Sequence, residues 1–571
     1  MPTSQWRRLA TLLGAILLLA VLLEVYRTRH DQSAPTSAPA PPRPNVAVTI
    51  LAINDFHGNL RPPLGGISIP DPQDKAKKIA VPAGGSEHMA TLVKELRAKK
   101  KNSVFVAAGD LIGASPLLSA LFHDEPTIES LSQMGLEITA VGNHEFDEGK
   151  AELLRMQNGG CHPKDGCQGP SKFAGAKFRY LAASTVDKST GKTLLPAYEV
   201  KEFEGIPVAF IGLTLKNTPN VVSPSGVVGL EFRDEAETIN ALVPQIRQRG
   251  IEAVVVLIHE GGFPTGDYNE CPGISGPIVD IVGKLDKAVD LIVSGHTHRA
   301  YRCVIDGRLV TSADKFGTIV TAIEIELDPV TRDVVSAKAD NLIVRTEVYA
   351  KDPAQTALLA SYEALVKPPG VRPVGSIATT LSRDEGPAGE SVLGQIITDA
   401  QLAATRSEPD GGAVIAFTNT GGIRSSLAKS ADGVVTFADI FAVQPFGNSL
   451  VTLTLTGAQI KTLLEQQWLN QPKPRVLQVS SGFSYTWDDR RARGDFVAAE
   501  GITLHGRPLD PAGRYRVTVN GFLADGGDGF AVLKEAVDPR TGPSEIAALE
   551  AFIKANSPLA PGTLDRIRRA N

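Results

Sequence analysis

The sequence is poor in cysteine and has no excess of basic residues. Its 571 residues include four cysteines and carry a formal net charge of -5. None of the cysteines has the CxxC spacing of a zinc ribbon or a redox dithiol, so both are excluded. The mildly acidic balance argues against binding a nucleic-acid polymer through a basic surface, but it allows a local cationic pocket for a phosphate. The sequence also lacks an internal repeat.

Long apolar runs are scarce too. Residues 9–23, which follow Arg7 and Arg8, are the only stretch with the length and apolarity of an export signal or a membrane anchor. No A-x-A cleavage site follows at the usual distance, which favours an uncleaved signal-anchor over a cleaved signal peptide within residues 1–30. Everything after residue 30 is therefore expected outside the cytoplasmic membrane, in the periplasm or the extracellular space, tethered by the N-terminal segment.

Export bears on the cysteines, because disulfides persist in oxidising compartments. The even cysteine count of an exported chain predicts two disulfides, Cys161–Cys167 and Cys271–Cys303. Four buried thiols are the alternative if the chain stays in a reducing compartment.

Composition and periodicity divide the rest of the chain. Residues 31–45 are rich in proline, alanine and serine and predict an extended tether. Over residues 46–346, strand-type and helix-type runs alternate, which predicts a four-layer α/β/β/α domain with two sheets inside and helices outside. A helix over residues 352–366, ended by two prolines, predicts an interdomain helix and hinge within 347–370. Residues 371–571 predict a smaller α/β (α+β) domain.

Titratable and ligating side chains follow five apolar runs of the first domain. Each run predicts a buried strand, and ligands in layered α/β folds gather at the carboxyl ends of strands. The residues at these ends are Asp55, His57, Asp110, Asn143, His144, Asp147, His259, His296 and His298. Any single histidine is more often structural, but five of the ten histidines stand in these motifs, which favours one shared site.

These residue types suit a pair of divalent metal ions that activate water for attack on phosphorus. A carboxylate has two oxygens and can bridge two ions, and Asp110 is the bridging candidate. One ion would then be bound by Asp55, His57 and His298 as well. The other ion would be bound by Asn143, His259 and His296. Nitrogen and oxygen ligands of this kind suit Zn, Mn or Co.

His144 would stay free of metal, with Asp147 holding its far ring nitrogen. A charged imidazole at this place can stabilise the transferring phosphoryl oxygens or the leaving group. His144 and Asp147 are therefore the predicted catalytic pair.

Glycine-rich loops carry the predicted phosphate contacts of the second domain. Asn419, Gly422 and Arg424 belong to one loop, where bare backbone N–H groups and a guanidinium form a good phosphate clamp. The alternative is a turn with a surface arginine.

Two further loops each place a phenylalanine among glycines. Phe446 and Phe522 are placed to sandwich a nucleobase by stacking, although a phenylalanine is more often a core residue. Asn448 would bond the base edge, and Asp528 would accept from the ribose hydroxyls.

Four motifs of the first domain resemble those of the calcineurin-like metallophosphoesterases. They are Asn54-Asp55-Phe56-His57-Gly58-Asn59, Gly109-Asp110, Gly142-Asn143-His144-Glu145-Phe146-Asp147 and Gly295-His296-Thr297-His298. Nearly everything after residue 45 resembles the bacterial and animal 5'-nucleotidase family. The resemblance implies the dinuclear site, the ligand roles and the catalytic pair given above. In some relatives Gln or Asn stands at the position of His298, so histidine there bears on metal preference.

The same resemblance implies a nucleotide-binding C-terminal domain. It adds Arg383 as a contact near the scissile group, and it implies a rotation between the two domains about residues 352–370. The implied activity is metal-dependent hydrolysis of nucleoside 5'-phosphates, with di- and triphosphates as further substrates, to nucleoside and phosphate. The nucleotide substrate is the expected partner, and the sequence predicts no particular oligomeric state.

Two alternatives to this activity stay open. One is a 2',3'-cyclic-nucleotide 2'-phosphodiesterase with 3'-nucleotidase activity, because the stacking clamp suits both substrates. The other, from a different class, is a non-catalytic nucleotide-binding surface protein.

Overall fold

The computed structural model describes residues 4–30, 43–71, 73, 74, 77–469, 471 and 473–570. The chain divides into two units, Met1–Asn45 and Val46–Asn571. Most of the predicted export segment is one helix, Ser4–His30. A search of the described residues finds no helix with both the length and the apolarity to cross a membrane. The signal-anchor stays a prediction, and residues 31–42 of the predicted tether lie outside the described residues.

Two mixed sheets face each other in the first half of the larger unit. The strand order of the first sheet is Val334–Ile343, Ile319–Leu327, Val46–Ile53, Ser103–Ala107, Ile138–Ala140 and Arg179–Leu181. The order of the second sheet is Ala300–Ile305, Arg308–Ala313, Leu291–Ser294, Ala253–His259, Ile206–Thr214 and Tyr198–Phe203. The inner strands of both sheets pair in parallel.

Helices cover the outer faces of the two sheets. Their bounds are Ser86–Ala98, Leu117–Ala120, Glu125–Met134, Lys150–Asn158, Glu235–Gln248, Pro277–Val282 and Pro353–Gly370. Smaller elements are the hairpin Ile67–Pro70 with Lys78–Val81, the strands Thr185–Asp187, Lys192–Thr193 and Leu230–Phe232, and the 3-10 turns His144–Phe146, Thr218–Asn220 and Pro224–Val227.

The strand Val46–Ile53 shows why the sheets are buried on both faces. Successive side chains of a strand point to opposite sides. Ile50 and Ala52 pack in the core between the two sheets, whereas Leu51 and Ile53 pack against the helices. A strand that is covered on both faces needs a continuous apolar run, which is the pattern in the sequence. The predicted four-layer α/β/β/α arrangement is confirmed.

The second half of the larger unit is a smaller α/β domain. Its main sheet has the strand order Gln478–Val479, Ile415–Thr418, Arg514–Asn520, Ser449–Thr456 and Val537–Ser544, and a second sheet has the order Arg507–Pro508, Val497–Leu504, Phe483–Trp487 and Ile567–Arg569. Further elements are the strands Pro373–Ser376 and Val434–Thr436, the helices Val392–Thr405, Phe437–Val443, Gly457–Glu465, Gly521–Ala524 and Glu545–Ala555, and the 3-10 turns Thr420–Gly422, Gly527–Gly529 and Ala531–Glu535.

Two local expectations are wrong. The helix Pro353–Gly370 runs through both prolines instead of ending before them. Each proline removes one hydrogen bond of the helix, but both lie in its last turn, and the buried side chains of Leu359 and Tyr362 hold the preceding turns. Residues 522–530 are not a plain loop, because they contain the helix Gly521–Ala524 and the turn Gly527–Gly529.

Both expected disulfides are present. Cys161 is bonded to Cys167 and Cys271 to Cys303, with Cα atoms 4.5 Å and 5.2 Å apart. The domain limits at residues 346 and 370 stay predictions.

Candidate active site

Most of the predicted ligands have an unusual backbone. Asp55, His57, Asp110, His296 and His298 all have φ between 45° and 68°. The left-handed region is unfavourable for residues with a Cβ atom, and such residues cluster at functional sites. Hydrogen bonds between neighbouring loops hold the conformation: the N–H of Asp55 donates to the carbonyl of Gly109 and that of His57 to the carbonyl of Asp110, both at 3.0 Å. The loops therefore support each other.

Two glycines let these loops approach. A Cβ atom on Gly109, which has φ +81°, would lie 2.8 Å from Nδ1 of His259 and 2.7 Å from the backbone nitrogen of Gly142. A Cβ on Gly142 would lie 2.1 Å from Oδ1 of Asp110. Both glycines of the GD and GNHEFD motifs are thus required by the close packing of the ligand loops.

The predicted ligands converge on the carboxylate of Asp110. Its Oδ2 atom lies 2.9 Å from Nε2 of His259 and 3.6 Å from Nε2 of His57. On the His57 side, Nε2 of His298 lies 3.1 Å from Nε2 of His57 and 3.2 Å from Oδ1 of Asp55. Oδ2 of Asp110 therefore lies between the His57 side and the His259 side of the site.

Ligand atoms of both predicted sets lie close together, and His57, Asp110 and His144 form a further such group. Asp55, His57 and His298 form one group of closely spaced ligand atoms, and Asp110, His259 and His296 form another. Asn143 and His296 line one cavity, and the buried Oδ1 of Asn143 has no hydrogen-bond partner in the described part of the chain. A buried amide oxygen without a partner is costly, so this atom fits a metal ligand.

Backbone carbonyls fix the orientation of two of the imidazoles. Nδ1 of His57 bonds to the carbonyl of Gly113 at 2.8 Å, and Nδ1 of His259 to the carbonyl of Ala108 at 2.7 Å. A ring nitrogen that bonds to a carbonyl must donate a proton, so Nε2 is the nitrogen that can bind a metal ion once it carries no proton. In both rings Nε2 is the nitrogen that faces Asp110.

Burial and charge keep several ligands in the form that binds metals. Burial lowers the pKa of His57 and His298 well below the usual range and that of His296 to about 3, so these rings are neutral. Burial opposes ionisation of Asp110, but the charges of His259 and His144 beside it hold the pKa of Asp110 well below its usual range. Burial lowers the pKa of His259, but the charge of Asp110 more than offsets it and raises that pKa to about 10, so His259 must lose a proton when a metal ion binds. Neutral imidazoles and an ionised carboxylate are the required ligand forms.

His144 and Asp147 form the predicted pair. Nδ1 of His144 bonds to Oδ2 of Asp147 at 2.8 Å, and the backbone N–H of His144 donates to Oδ1 of Asp110 at 2.9 Å. Burial lowers the pKa of His144, but the charges of Asp147 and Asp110 more than offset it, and the net shift is upward.

Glu145 has a positioning role that the sequence motif does not reveal. Its carboxylate accepts from the backbone N–H groups of Asp110, Leu111 and Gly142 at 2.6–3.0 Å. One buried side chain thereby connects the loop after the strand Ser103–Ala107 to the loop after the strand Ile138–Ala140.

A cavity of about 370 Å³ lies beside these residues. The predicted residues that line it come from both domains and are Asn143, His144, Asp147, His296, Asn419, Gly422, Arg424, Phe446, Asn448, Phe522 and Asp528. The predicted nucleotide clamp and the predicted catalytic pair therefore share one space. Asp55, His57 and His259 are fully buried next to it.

The rings of Phe446 and Phe522 have different neighbours. The ring of Phe446 lies parallel to the ring of His144 within 26°, with centroids 6.0 Å apart, and the guanidinium of Arg424 lies 5.8 Å from its centroid. The ring of Phe522 lies flat over Gly527, where a Cβ atom would come within 2.5 Å of it.

The polar members of the predicted clamp bond to protein neighbours. Oδ2 of Asp528 accepts from Asn419 at 2.8 Å, and Oδ1 pairs with Arg475. The amide of Asn448 donates to the buried Glu545 at 3.1 Å. A ribose contact would therefore share the oxygens of Asp528 with protein donors.

Arg383 and Arg424 lie together but have different surroundings. Arg383 donates to the carbonyl of Arg424 at 2.6 Å and so holds the loop that carries it. The guanidinium of Arg424 reaches within 3.2 Å of Nε2 of His57, and its buried Nε has no partner among the described residues. Arg383 lines a second, larger cavity of about 1180 Å³.

Sequence reasoning missed several cationic residues of this second cavity. They are Arg299, Lys315, Lys473 and Arg475. Arg299 directly follows the Gly295–His298 motif. No such motif adjoins the other three in the sequence, so only the fold brings the four together. It also missed Phe316, whose ring packs edge-on against His57 and His298 at 5.9 Å and 5.8 Å.

Comparisons with known proteins agree with this geometry. Sequence models for "Calcineurin-like phosphoesterase" and "5'-nucleotidase, C-terminal domain" match residues 48–300 and 373–535. The endonuclease YhcR of Bacillus subtilis is 33% identical over 541 residues, which are 93% of this chain and 41% of that protein. The cell wall protein Lmo0130 of Listeria monocytogenes is 33% identical over 538 residues, 87% of this chain and 66% of that protein.

A crystal structure gives the same result. The 5'-nucleotidase precursor from Thermus thermophilus superposes with a TM-score of 0.75 at 28% identity, covering 92% of this chain and 99% of that one. This chain is thus comparable in length to the Thermus protein but spans about two fifths of YhcR.

The first domain is a calcineurin-like phosphoesterase domain, a class that uses divalent metals. The chain as a whole belongs to the 5'-nucleotidase family, in which this domain precedes a 5'-nucleotidase C-terminal domain. The resemblance that the motifs indicated is confirmed.

We expect Asp110→Asn to lose both ions of this site together with all activity, because Oδ2 of Asp110 lies beside a histidine of each ligand group. Metal content after desalting and phosphate release would be measured on the same sample. Asp306→Asn is the matched control, since Asp306 also has positive φ and lies outside the site. Two ions retained by Asp110→Asn with unchanged affinity would contradict the shared-oxygen arrangement.

Proposed function

We propose that this protein hydrolyses nucleoside 5'-phosphates to nucleoside and phosphate outside the cytoplasmic membrane. The observation that carries the proposal is the single cavity that combines the His144–Asp147 pair, the outer ligands Asn143 and His296, and the side chains of Arg424, Phe446 and Phe522. Nucleoside di- and triphosphates are further candidate substrates, because the adjoining cavity is lined by several cationic side chains.

The ligand groups fit two divalent ions, which Asp110 would bridge. One ion would be held by Asp55, His57 and His298, and the other by Asn143, His259 and His296. When bound, the ions supply Lewis acidity and lower the pKa of a coordinated water. Zn, Mn and Co all suit this mixture of imidazole, carboxylate and amide ligands.

His144 acts next to the ligands. Asp147 holds Nδ1 at 2.8 Å, so Nε2 is left to donate a hydrogen bond to a phosphoryl or leaving-group oxygen. A protonated imidazole stabilises the charge that develops there and can deliver a proton to the leaving nucleoside. Arg424 supplies a second, permanent positive charge to the same oxygens.

The aromatic residues would hold the nucleoside. The ring centroids of Phe446 and His144 are 6.0 Å apart, so a base stacked on Phe446 would keep its 5'-phosphate close to the catalytic pair. Stacking on two phenylalanines gives affinity without strict base choice. Asn448 and Asn419 add polar groups at the wall of the same cavity.

A diester substrate is the second candidate. The most extensive match among the relatives named above is an endonuclease, and cleavage of a 2',3'-cyclic nucleotide followed by 3'-nucleotidase action uses the same groups. The acidic net charge of -5 argues against a polymeric nucleic acid as the preferred substrate. A purely nucleotide-binding protein would not need the ligand pairs or the His144–Asp147 pair.

Export rests on the N-terminal segment. Two arginines before an apolar run are typical of an export signal, the two disulfides suit an oxidising compartment, and one relative is named as a cell wall protein. Fractionation of cells that express the full chain would test this location.

Phosphate release would test the reaction itself. The purified chain would receive AMP, ADP, ATP, 3'-AMP and 2',3'-cyclic AMP, with Mn²⁺, Zn²⁺ or a chelator present. We expect chelator-sensitive release that is fastest from the 5'-nucleotides. Turnover restricted to the cyclic and 3' substrates would favour the diesterase, and no turnover by the metal-loaded protein would leave only nucleotide binding.

We expect His144→Asn to keep its metals while kcat falls by about two to four powers of ten, the usual contribution of a general acid. His505→Asn is the control, since His505 is exposed and distant in sequence from every motif. Metal analysis and steady-state kinetics would be combined. Loss of metal from His144→Asn would show that His144 is a ligand instead.

Phe446→Ala should weaken nucleotide binding selectively. Stacking of one base contributes about 1–3 kcal/mol, so KM for AMP should rise by roughly 5- to 150-fold. Ribose 5-phosphate, which has the same ester but no base, serves as the control substrate and should be hydrolysed as by the unaltered protein. An equal loss with both substrates would place Phe446 in catalysis rather than in base binding.

A further inference from the structure

Two histidines outside the catalytic site stack on each other near the protein surface. The ring centroids of His123 and His162 are 3.7 Å apart, and the ring planes lie within 15°. Oδ2 of Asp165 lies 2.9 Å from Nε2 of His123 and 3.2 Å from Nδ1 of His162. Oε2 of Glu148 lies at the opposite edge, 2.8 Å from Nδ1 of His123 and 3.8 Å from Nε2 of His162. The proposed hydrolysis uses none of these four side chains.

We propose that this cluster is a further binding site for a divalent transition-metal ion, with zinc as the best match. The ligands are Nε2 of His123, Nδ1 of His162 and the carboxylate of Asp165, which lie within one group of closely spaced ligand atoms. Zinc binds imidazole nitrogen and carboxylate oxygen at about 2.0–2.2 Å, so neighbouring ligands on a tetrahedral ion are about 3.4 Å apart. The observed separations of 2.9 Å and 3.2 Å are close to this spacing.

The local fold brings these ligands together. His162 and Asp165 stand in a short hairpin that the disulfide Cys161–Cys167 closes. The guanidinium of Arg155, which pairs with two buried glutamates, donates to the carbonyl of Gly160 at 2.7 Å and anchors the base of this hairpin. Metal coordination requires the ring of His162 to rotate out of the stack, because the lone pairs on Nε2 of His123 and Nδ1 of His162 must both point at one ion.

The charge of the cluster favours a cation. Glu148 and Asp165 both contact the stack, and Glu152 adds a further carboxylate to the group around His123. Without metal, the hydrogen bond to Glu148 raises the pKa of His123 to about 8 against the effect of burial, with further contributions from the charges of Glu148 and Glu152 and the hydrogen bond to Asp165. Metal must displace this proton, so the affinity of the site should rise between about pH 6 and pH 8.

The cluster adjoins the nucleotide cavity. Glu148 and Asp124, the residue after His123, both line that cavity. Asp124 accepts from the N–H of Gly113 at 3.0 Å, and the carbonyl of Gly113 bonds to His57. An ion at the cluster would therefore fix part of the cavity wall without touching the reacting atoms.

Metal stoichiometry tests this proposal. The full chain would be stripped with a chelator, titrated with Zn²⁺ alone at pH 8 and analysed for bound metal per chain. We expect three ions in the unaltered protein and two in His123→Asn and in Asp165→Asn. Asparagine tolerates the positive φ of 51° at position 123. His505→Asn is the matched control, because His505 is an exposed histidine with φ 50°, and it should keep three ions.

Asp110→Asn separates this proposal from the proposed function. This variant should lose the two ions of the catalytic site and keep one. The double variant Asp110→Asn with His123→Asn should keep none. Equal zinc content in the unaltered protein and in folded His123→Asn, whether two ions or three, would overturn the proposal. If the unaltered protein binds only two ions and His123 titrates near pH 8, the cluster is held together by hydrogen bonds of a protonated His123 and binds no metal.

Discussion

The arrangement of the site depends on one carboxylate oxygen. Oδ2 of Asp110 faces the imidazoles of His57 and His259, which arrive from different sheets. The other oxygen of Asp110 is held by the backbone of His144. The loops around it must therefore come closer than ordinary side chains permit, which explains both the glycines at 109 and 142 and the left-handed backbone of the ligands. That strain, of the order of 1 kcal/mol or more per residue, is sustained by the buried sheets beneath.

The second domain completes the site through a few long contacts. Arg424 reaches the ligand His57, and Phe446 lies parallel to the catalytic candidate His144. The guanidinium of Arg383 donates to the backbone carbonyl of Arg424. The predicted clamp residues and the predicted catalytic pair thus lie on separate domains that meet at one cavity, so a change in the relative position of the domains would alter the spacing between them.

The hydrogen-bond network of the clamp adds a constraint on substrate recognition. Asp528 is bonded to Asn419 and Arg475, and Asn448 to Glu545. Side chains held in this way lose little conformational entropy when a ligand binds. They also offer fewer free hydrogen-bonding groups, so under the proposed function the aromatic faces and the two arginines would supply much of the affinity for a nucleotide.

The sequence by itself determined the layered α/β fold, the ligand motifs and the family, because these follow from local features: apolar runs of strand length and polar residues at their ends. It also determined the two disulfide pairs. The tertiary structure alone decided which atoms face each other. Several of these contacts join residues far apart in the chain: Oδ2 of Asp110 with His57 and His259, Glu145 with the backbone of Asp110 and Leu111, Arg475 with Asp528, and His123 with His162. Such contacts depend on how strands and loops pack in space, and hydrophobic periodicity carries no information about that.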